Sequence, residues 1–243
     1  MNQPLKPERY KGAFIYKYRS VERLEWLKEI LLDNKLYFPK ARELNDPEEA
    51  RPPLTSASLE ALIMMLTQQT AAAKPFLNNQ GLAHDAAVID FNARRFGPGL
   101  VLSQIMPILY QQFEDFRIYS LSKRCDNLHL WNRYAGVHTG YCLAFRNDEA
   151  FLPAFEVRYK DIALDITDPE QLQPYFLFYK TKSWRKEEEV RMIAQRNADA
   201  NVTFEPRLLT RLILGREIAP TAAATIRAWA GDRKPPLTIL SER

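Results

Sequence analysis

Apolar and aromatic positions along this chain fall into short strand-like runs and helical stripes. Phe14-Ile15-Tyr16-Lys17-Tyr18-Arg19-Ser20 is rich in aromatics and reads as a strand. Behind Ser20, residues Leu24, Leu27 and Leu31 form a helical stripe over 21–32. Ser20 is a cap without the reciprocal Glu, because Arg23 stands three residues on. Leu36-Tyr37-Phe38 predicts a second strand, and Asn45-Asp46-Pro47 a turn. From about 55 to 116 the pattern is helical, with apolar faces over Leu59–Leu66 and Val101–Tyr110. Strands are then predicted at 117–122, 139–145, 154–159, 190–194, 208–214 and 237–240. A short helix is predicted around 128–134, and longer ones over 169–182 and 221–230. Strands and helices mix without steady βαβ alternation. The expected fold is therefore α+β, a mixed and mainly antiparallel sheet core in a single domain over 1–243. The stretch at about 55–116 is read as a helical insertion, since strands resume after it.

Composition narrows the field. The 46% hydrophobic and 26% charged fractions are those of an ordinary globular chain of 243 residues, long enough for a sizeable core. A formal charge of +4 permits nucleic acid or anionic ligands without demanding them. Cys125 and Cys142 make no disulfide framework, and no apolar run approaches membrane-spanning length. The expectation is a soluble, cytoplasmic protein with no membrane partner. Only eight Gly are present, with no Walker-type loop and no G-x-G-x-x-G, so a nucleotide site would have to use side chains.

The densest chemistry lies in Lys182-Ser183-Trp184-Arg185-Lys186-Glu187-Glu188-Glu189-Val190-Arg191-Met192-Ile193, where a helix is expected to hand over to a strand. Side chains 189, 191 and 193 share one face of that strand, which aims Glu189 and Arg191 inward. Glu187 precedes the strand, in a turn where its carboxylate would be free to swing. Lys180, Lys182, Arg185, Lys186 and Arg191 are interleaved with three Glu, so a mixed salt-bridged surface is expected, with a nucleic-acid path as the alternative.

Several stretches together carry a resemblance. They are Tyr16-Lys17-Tyr18-Arg19, Asn45-Asp46-Pro47, Trp131-x-x-Tyr134-x-x-x-His138-x-Gly140-x-Cys142 and Trp184-x-x-Glu187-x-Glu189-x-Arg191. In this order they resemble a widespread bacterial family known only as a domain of unknown function. Leu44 and Glu48-Glu49 depart from it, where that family more often has Phe and an aromatic. More distantly, Arg19, Ser120-Leu121-Ser122 and Glu187-x-Glu189 are similar in order to the Arg, Ser-x-Ser, Glu-x-Glu arrangement of arginine-type ADP-ribosyltransferases.

That second resemblance implies NAD as cofactor, an ADP-ribosyltransferase or NAD glycohydrolase activity toward an unnamed acceptor, and a toxin or defence role. By it, Arg19 orients the dinucleotide phosphates, Ser120 braces the site, Glu189 holds the ribose and Glu187 serves the acceptor. Read from the residues, Trp131, Tyr134 and His138 would line a cleft, an aromatic stacking on a base or nicotinamide ring and His138 moving protons, so that Ser122, Tyr134 and His138 join the expected cofactor site. Other readings stay open. Trp131 and Tyr134, three apart on a helix, also read as core. Cys125, His129, His138 and Cys142 are zinc-competent, but Cys142 sits in an apolar strand and no zinc is expected. A metal-dependent nuclease would use Asp46, His138 and the glutamates. A non-catalytic nucleic-acid- or protein-binding module would leave the same residues to packing.

Overall fold

Strand β1 (Phe14–Arg19) is covered on both faces, with Ile15 buried on one side and Tyr18 on the other. It therefore lies inside a sheet. The computed structural model describes residues 6–46, 51–55, 113–148, 153–163, 174–195 and 198–242, with Arg95, Met106, Pro107, Tyr110, Gln111 and Phe151. Around β1 are β3 (Arg117–Ser122), β4 (Tyr141–Arg146), β5 (Phe155–Glu156), β6 (Glu189–Ala194), β8 (Leu209–Leu214) and β9 (Thr238–Ser241). They form a seven-stranded sheet in the order β9-β8-β4-β1-β3-β6-β5. Neighbours are antiparallel except β8 and β9, which run parallel. A parallel pair needs a crossover, supplied here by helix α3 (Pro220–Gly231) with Pro at its first turn. The α+β class with a mixed, mainly antiparallel sheet is thus the observed one. A separate ribbon joins β2 (Lys35–Tyr37) to β7 (Asn201–Thr203).

The two faces of the sheet are covered differently. One carries Ile15, Leu121, Leu143, Val190, Met192 and Leu212 against Leu27, Ile30 and Leu31 and against Ile226 of α3. The other carries Tyr18, Cys142 and Ile213 beneath Leu130, Trp131 and Ala135, which belong to helix α2 (Leu128–Arg133) and the turn after it. Tyr18 meets Trp131 edge to face, with centroids 5.2 Å apart.

Some elements differ from expectation. Residues 21–33 are not one helix. A 3-10 turn capped by Ser20 leads into α1 (Leu24–Lys28), then a π turn over Glu29–Asp33 ends at left-handed Asn34, φ 53°. The wider turn lets sequence neighbours Ile30 and Leu31 both enter the core. The strand expected over 154–159 breaks in two around buried Val157. The helix expected to reach Lys182 gives way to a 3-10 turn at Pro174–Phe178, an extended Tyr179–Lys180 and a second 3-10 turn at Lys182–Glu187.

The chain divides into two compact units: Met1–Lys6, Ala41–Asp115 and Asp161–Tyr179 make one, and Pro7–Lys40, Phe116–Lys160 and Lys180–Arg243 the other. The first contains the expected insertion, most of which lies outside the described residues. Within it Tyr110 and Gln111 are helical, Phe113 packs edge-on against Phe176, and Arg42 pairs with Asp115 at 3.2 Å. No helix among the described residues is long and apolar enough to cross a membrane. The sheet belongs to the second unit.

Candidate functional site

Pairing fixes which side chains meet on the α2 side of the sheet. Ser122 lies opposite Glu189 and Ser120 opposite Arg191 in the β3–β6 ladder, so these four share one face. The 3-10 turn before β6 ends at Glu188, whose left-handed φ of 46° redirects the chain into the strand. Glu187 and Glu189 then meet a single ammonium. Lys180 Nζ donates to Glu187 Oε2 at 2.7 Å and lies 3.0 Å from Glu189 Oε2. Arg191 grips Glu189 with two bonds, Nε to Oε1 at 2.6 Å and Nη2 to Oε2 at 3.1 Å. Tyr134 OH donates to Glu187 Oε1 at 2.5 Å, and the Glu189 amide donates to Tyr159 OH at 2.7 Å.

All four charged residues are buried. Burial alone would raise the Glu189 pKa. The charges of Arg191 and Lys180, with hydrogen bonds from Arg191 and Ser120, outweigh it and bring the value down to about 2. Glu189 is therefore a carboxylate at any ordinary pH. Burial and the bond to Glu187 push Tyr134 up to about 12, so it remains a donor.

Beside this cluster the sheet has a seam. Strands β1 and β3 pair only at Tyr16 and Ser122. Lys17 bridges the parted edge, with Nζ donating to the Ser120 carbonyl at 2.6 Å above the Tyr119 ring. Lys17 is half-buried. Desolvation first, then the neighbouring Arg19 charge, hold its pKa well below the lysine value.

Arg19 does not join the cluster. Tyr16, Ser122 and Glu189 share a face, and Arg19, three residues from Tyr16 and opposite Tyr141, lies on the other. Its guanidinium sits 5.4 Å from the Trp26 ring centre. The expected convergence of Arg19 with Ser120 and Glu189 on one concavity is therefore not made.

Other expected roles also change. Glu187 is not a mobile turn residue: it is 4% exposed and held by Tyr134 and Lys180. Ser122 is spent on the backbone, its hydroxyl donating to the Glu187 carbonyl at 3.1 Å and accepting from the Arg124 amide. Tyr134 binds Glu187 through its hydroxyl, while Trp131 is fully buried core. His138 is buried, stacked on Trp131, and bonded through Nδ1 to Glu242 at 2.7 Å. It ends a run of three left-handed residues, Gly136, Val137 and His138. Among the described residues, no three His, Cys, Asp or Glu side chains are grouped to hold a metal.

The cluster also sorts charge. Glu187, Glu189 and Arg191 turn inward, and Glu188 takes a hydrogen bond from Asn127 and faces Arg124. Lys182, Arg185 and Lys186 stay exposed, and none makes an ion pair with another described residue. The mixed salt-bridged surface expected from interleaved signs is not what forms. Half-buried Trp184, in the same turn, has exposed Arg133 4.6 Å and buried Lys180 4.7 Å from its ring centre. Asn127 locks α2 to this turn. Its Oδ1 caps the helix by accepting from Leu130, while Nδ2 donates to the Lys186 carbonyl at 2.8 Å.

Sequence reasoning did not assign Lys17, Tyr159, Arg133 or Glu242 to any site. Lys17 lay inside the Tyr16-Lys17-Tyr18-Arg19 stretch and Arg133 next to Tyr134 on the short helix, whereas Tyr159 and Glu242 carried no local signal. Comparison with protein families, curated proteins and solved structures yields no match. The function must be argued from the residues.

Proposed function

We propose that this chain is a nucleic-acid-binding module whose contact face is built by Arg133, Lys182, Trp184, Arg185 and Lys186. The observation that carries the reading is the sorting of charge in the 3-10 turn. Glu187 and Glu189 are withdrawn into the buried cluster, and half-exposed Glu188 is engaged by Asn127 and Arg124, while Lys182, Arg185, Lys186 and Arg133 stay exposed in the segments that carry Trp184. Phosphates are bound by such unpaired cations and bases by such aromatic faces. The buried Glu187–Lys180–Glu189–Arg191 network, joined by Tyr134, serves as the rigid support of that face. The test is binding of a labelled oligonucleotide across a salt series. Four exposed cations give a slope of log K against log salt of about −3, at about −0.7 per phosphate for a single strand. Wild-type binding that Lys182→Glu with Arg185→Glu leaves unchanged would refute the assignment.

A second reading keeps the NAD chemistry. Two carboxylates share one ammonium, Ser120 bonds Glu189, and the β1–β3 seam opens beside them. An ionised glutamate of this kind suits an oxocarbenium-like transition state. It requires a phosphate anchor other than Arg19 and displacement of Lys180 by substrate. NAD consumption abolished by Glu189→Gln in a variant that remains folded would favour it over the binding module.

A further inference from the structure

We infer that the ligand of this face is a single strand, DNA or RNA, with one unpaired base stacked on Trp184 and its phosphate taken by Arg133. The inference rests on the nucleic-acid reading above and names what that site selects. Three observations carry it. Trp184 is half-buried, with the Arg133 guanidinium 4.6 Å and the Lys180 ammonium 4.7 Å from its ring centre. The group stacked on it, the Arg133 guanidinium, is exposed and forms no ion pair with any described residue. A planar cation resting on an indole is replaceable by a nucleobase, because both use the same π face. Once displaced, the guanidinium fork stays within reach and is matched to a phosphate's oxygens.

The elements that form the face argue against duplex readout. Helix α2 and the 3-10 turn each have six residues, and α2 is about 9 Å long at 1.5 Å per residue. Reading a major groove takes a helix or ribbon laid along it. In a duplex the base faces are stacked on one another and closed to an indole. In a single strand they are open.

The experiment uses the full chain and fluorescence anisotropy at fixed salt. Its probes are dT20, U20, a 20-base-pair duplex, and an abasic 20-mer with the charge of dT20. The expected result is at least tenfold tighter binding of dT20 and U20 than of the duplex. The abasic strand should be weaker than dT20 by roughly 5- to 100-fold, the usual worth of a stacked base. Trp184→Ala should weaken dT20 by a similar factor without changing the abasic strand, and Trp184→Phe should recover most of the loss. The abasic comparison needs no variant, so it decides the matter even where Trp184→Ala fails to fold. Equal affinity for dT20 and the abasic strand, or for dT20 and the duplex, would overturn the stacking inference and leave a phosphate-binding face intact. Failure of every probe to bind would remove the nucleic-acid reading itself.

Discussion

Replacing Glu189 by Gln separates a supporting role for the buried cluster from a purely chemical one. Lys180 is 6% exposed, Glu187 4%, Glu189 3% and Arg191 0%, and their formal charges cancel. Glu189→Gln keeps the shape but removes one negative charge. Arg191 and Lys180 then lose one of their buried carboxylate partners. Breaking a buried ion pair from one side costs about 3–5 kcal/mol, because the surviving charge stays desolvated and unpaired. The pKa gives an independent figure. A carboxylate lowered from 4.5 to about 2 on folding contributes about 3 kcal/mol at neutral pH. The second figure lies at the lower end of the first, so the expected loss is about 3–5 kcal/mol, or a Tm lower by about 6–20 °C at 2–4 °C per kcal/mol. The assay is urea and thermal unfolding at pH 7 of wild type, Glu189→Gln, Arg191→Met and the double variant. The double variant restores neutrality, so it should be more stable than the sum of the single losses by about 2 kcal/mol. If Glu189→Gln stays within about 1 kcal/mol of wild type, or if the two losses simply add, the cluster is not a coupled support. The face above it would then have no rigid base.

Further outcomes follow from the same geometry. The folded pKa of Glu189 is depressed, so its contribution is complete above about 4.5 and disappears as pH falls toward 2. The stability gap between wild type and Glu189→Gln should therefore close over that window, as acid titration of urea midpoints will measure. Asn127→Ala should cost about 2 kcal/mol, one part the helix cap and one part the bond to Lys186, whereas Asn127→Asp should recover the cap alone. Val137 is 64% exposed yet held at φ 54°, so its side chain brings strain with little packing. Relief of about 1–2 kcal/mol against a glycine entropy cost of about 0.5–1 makes Val137→Gly stabilising by up to about 1 kcal/mol in thermal unfolding.

Much of the fold was legible because burial imposes a period. Strands β1, β3, β4 and β8 and helices α2 and α3 all stand where apolar runs and stripes predicted them. Strand β7 was not seen, since Asn201-Val202-Thr203 is an edge ribbon of three residues with two exposed. The break at Val157 was hidden because a buried residue continues the apolar pattern across it. Within the site, alternation along β6 put Glu189 and Arg191 on one inward face, as found. The failure of Arg19 has a different cause. That Arg19 lies with Lys17 and Ile15 follows from β1 alone. Its relation to Glu189 passes through two registers, Tyr16 with Ser122 and Ser122 with Glu189. A shift of one residue in either register would reverse the face. Neither register is written in the local sequence.

The same limit explains why Lys182–Arg191 reads as a mixed surface and folds as a sorted one. Neighbouring Lys, Arg and Glu suggest pairing along the chain, because only local partners are visible in a sequence. In the structure Glu187 answers to Tyr134 at the end of α2 and Lys180 from before the turn, and Glu189 to Arg191 and to Ser120 from β3. These partners form donor bonds that Lys182, Arg185 and Lys186 would otherwise supply. Each inward glutamate therefore frees a basic neighbour as it is buried. The buried network and the exposed basic face are two outcomes of one arrangement. A change that disrupts the network should weaken phosphate binding even though it touches no exposed residue.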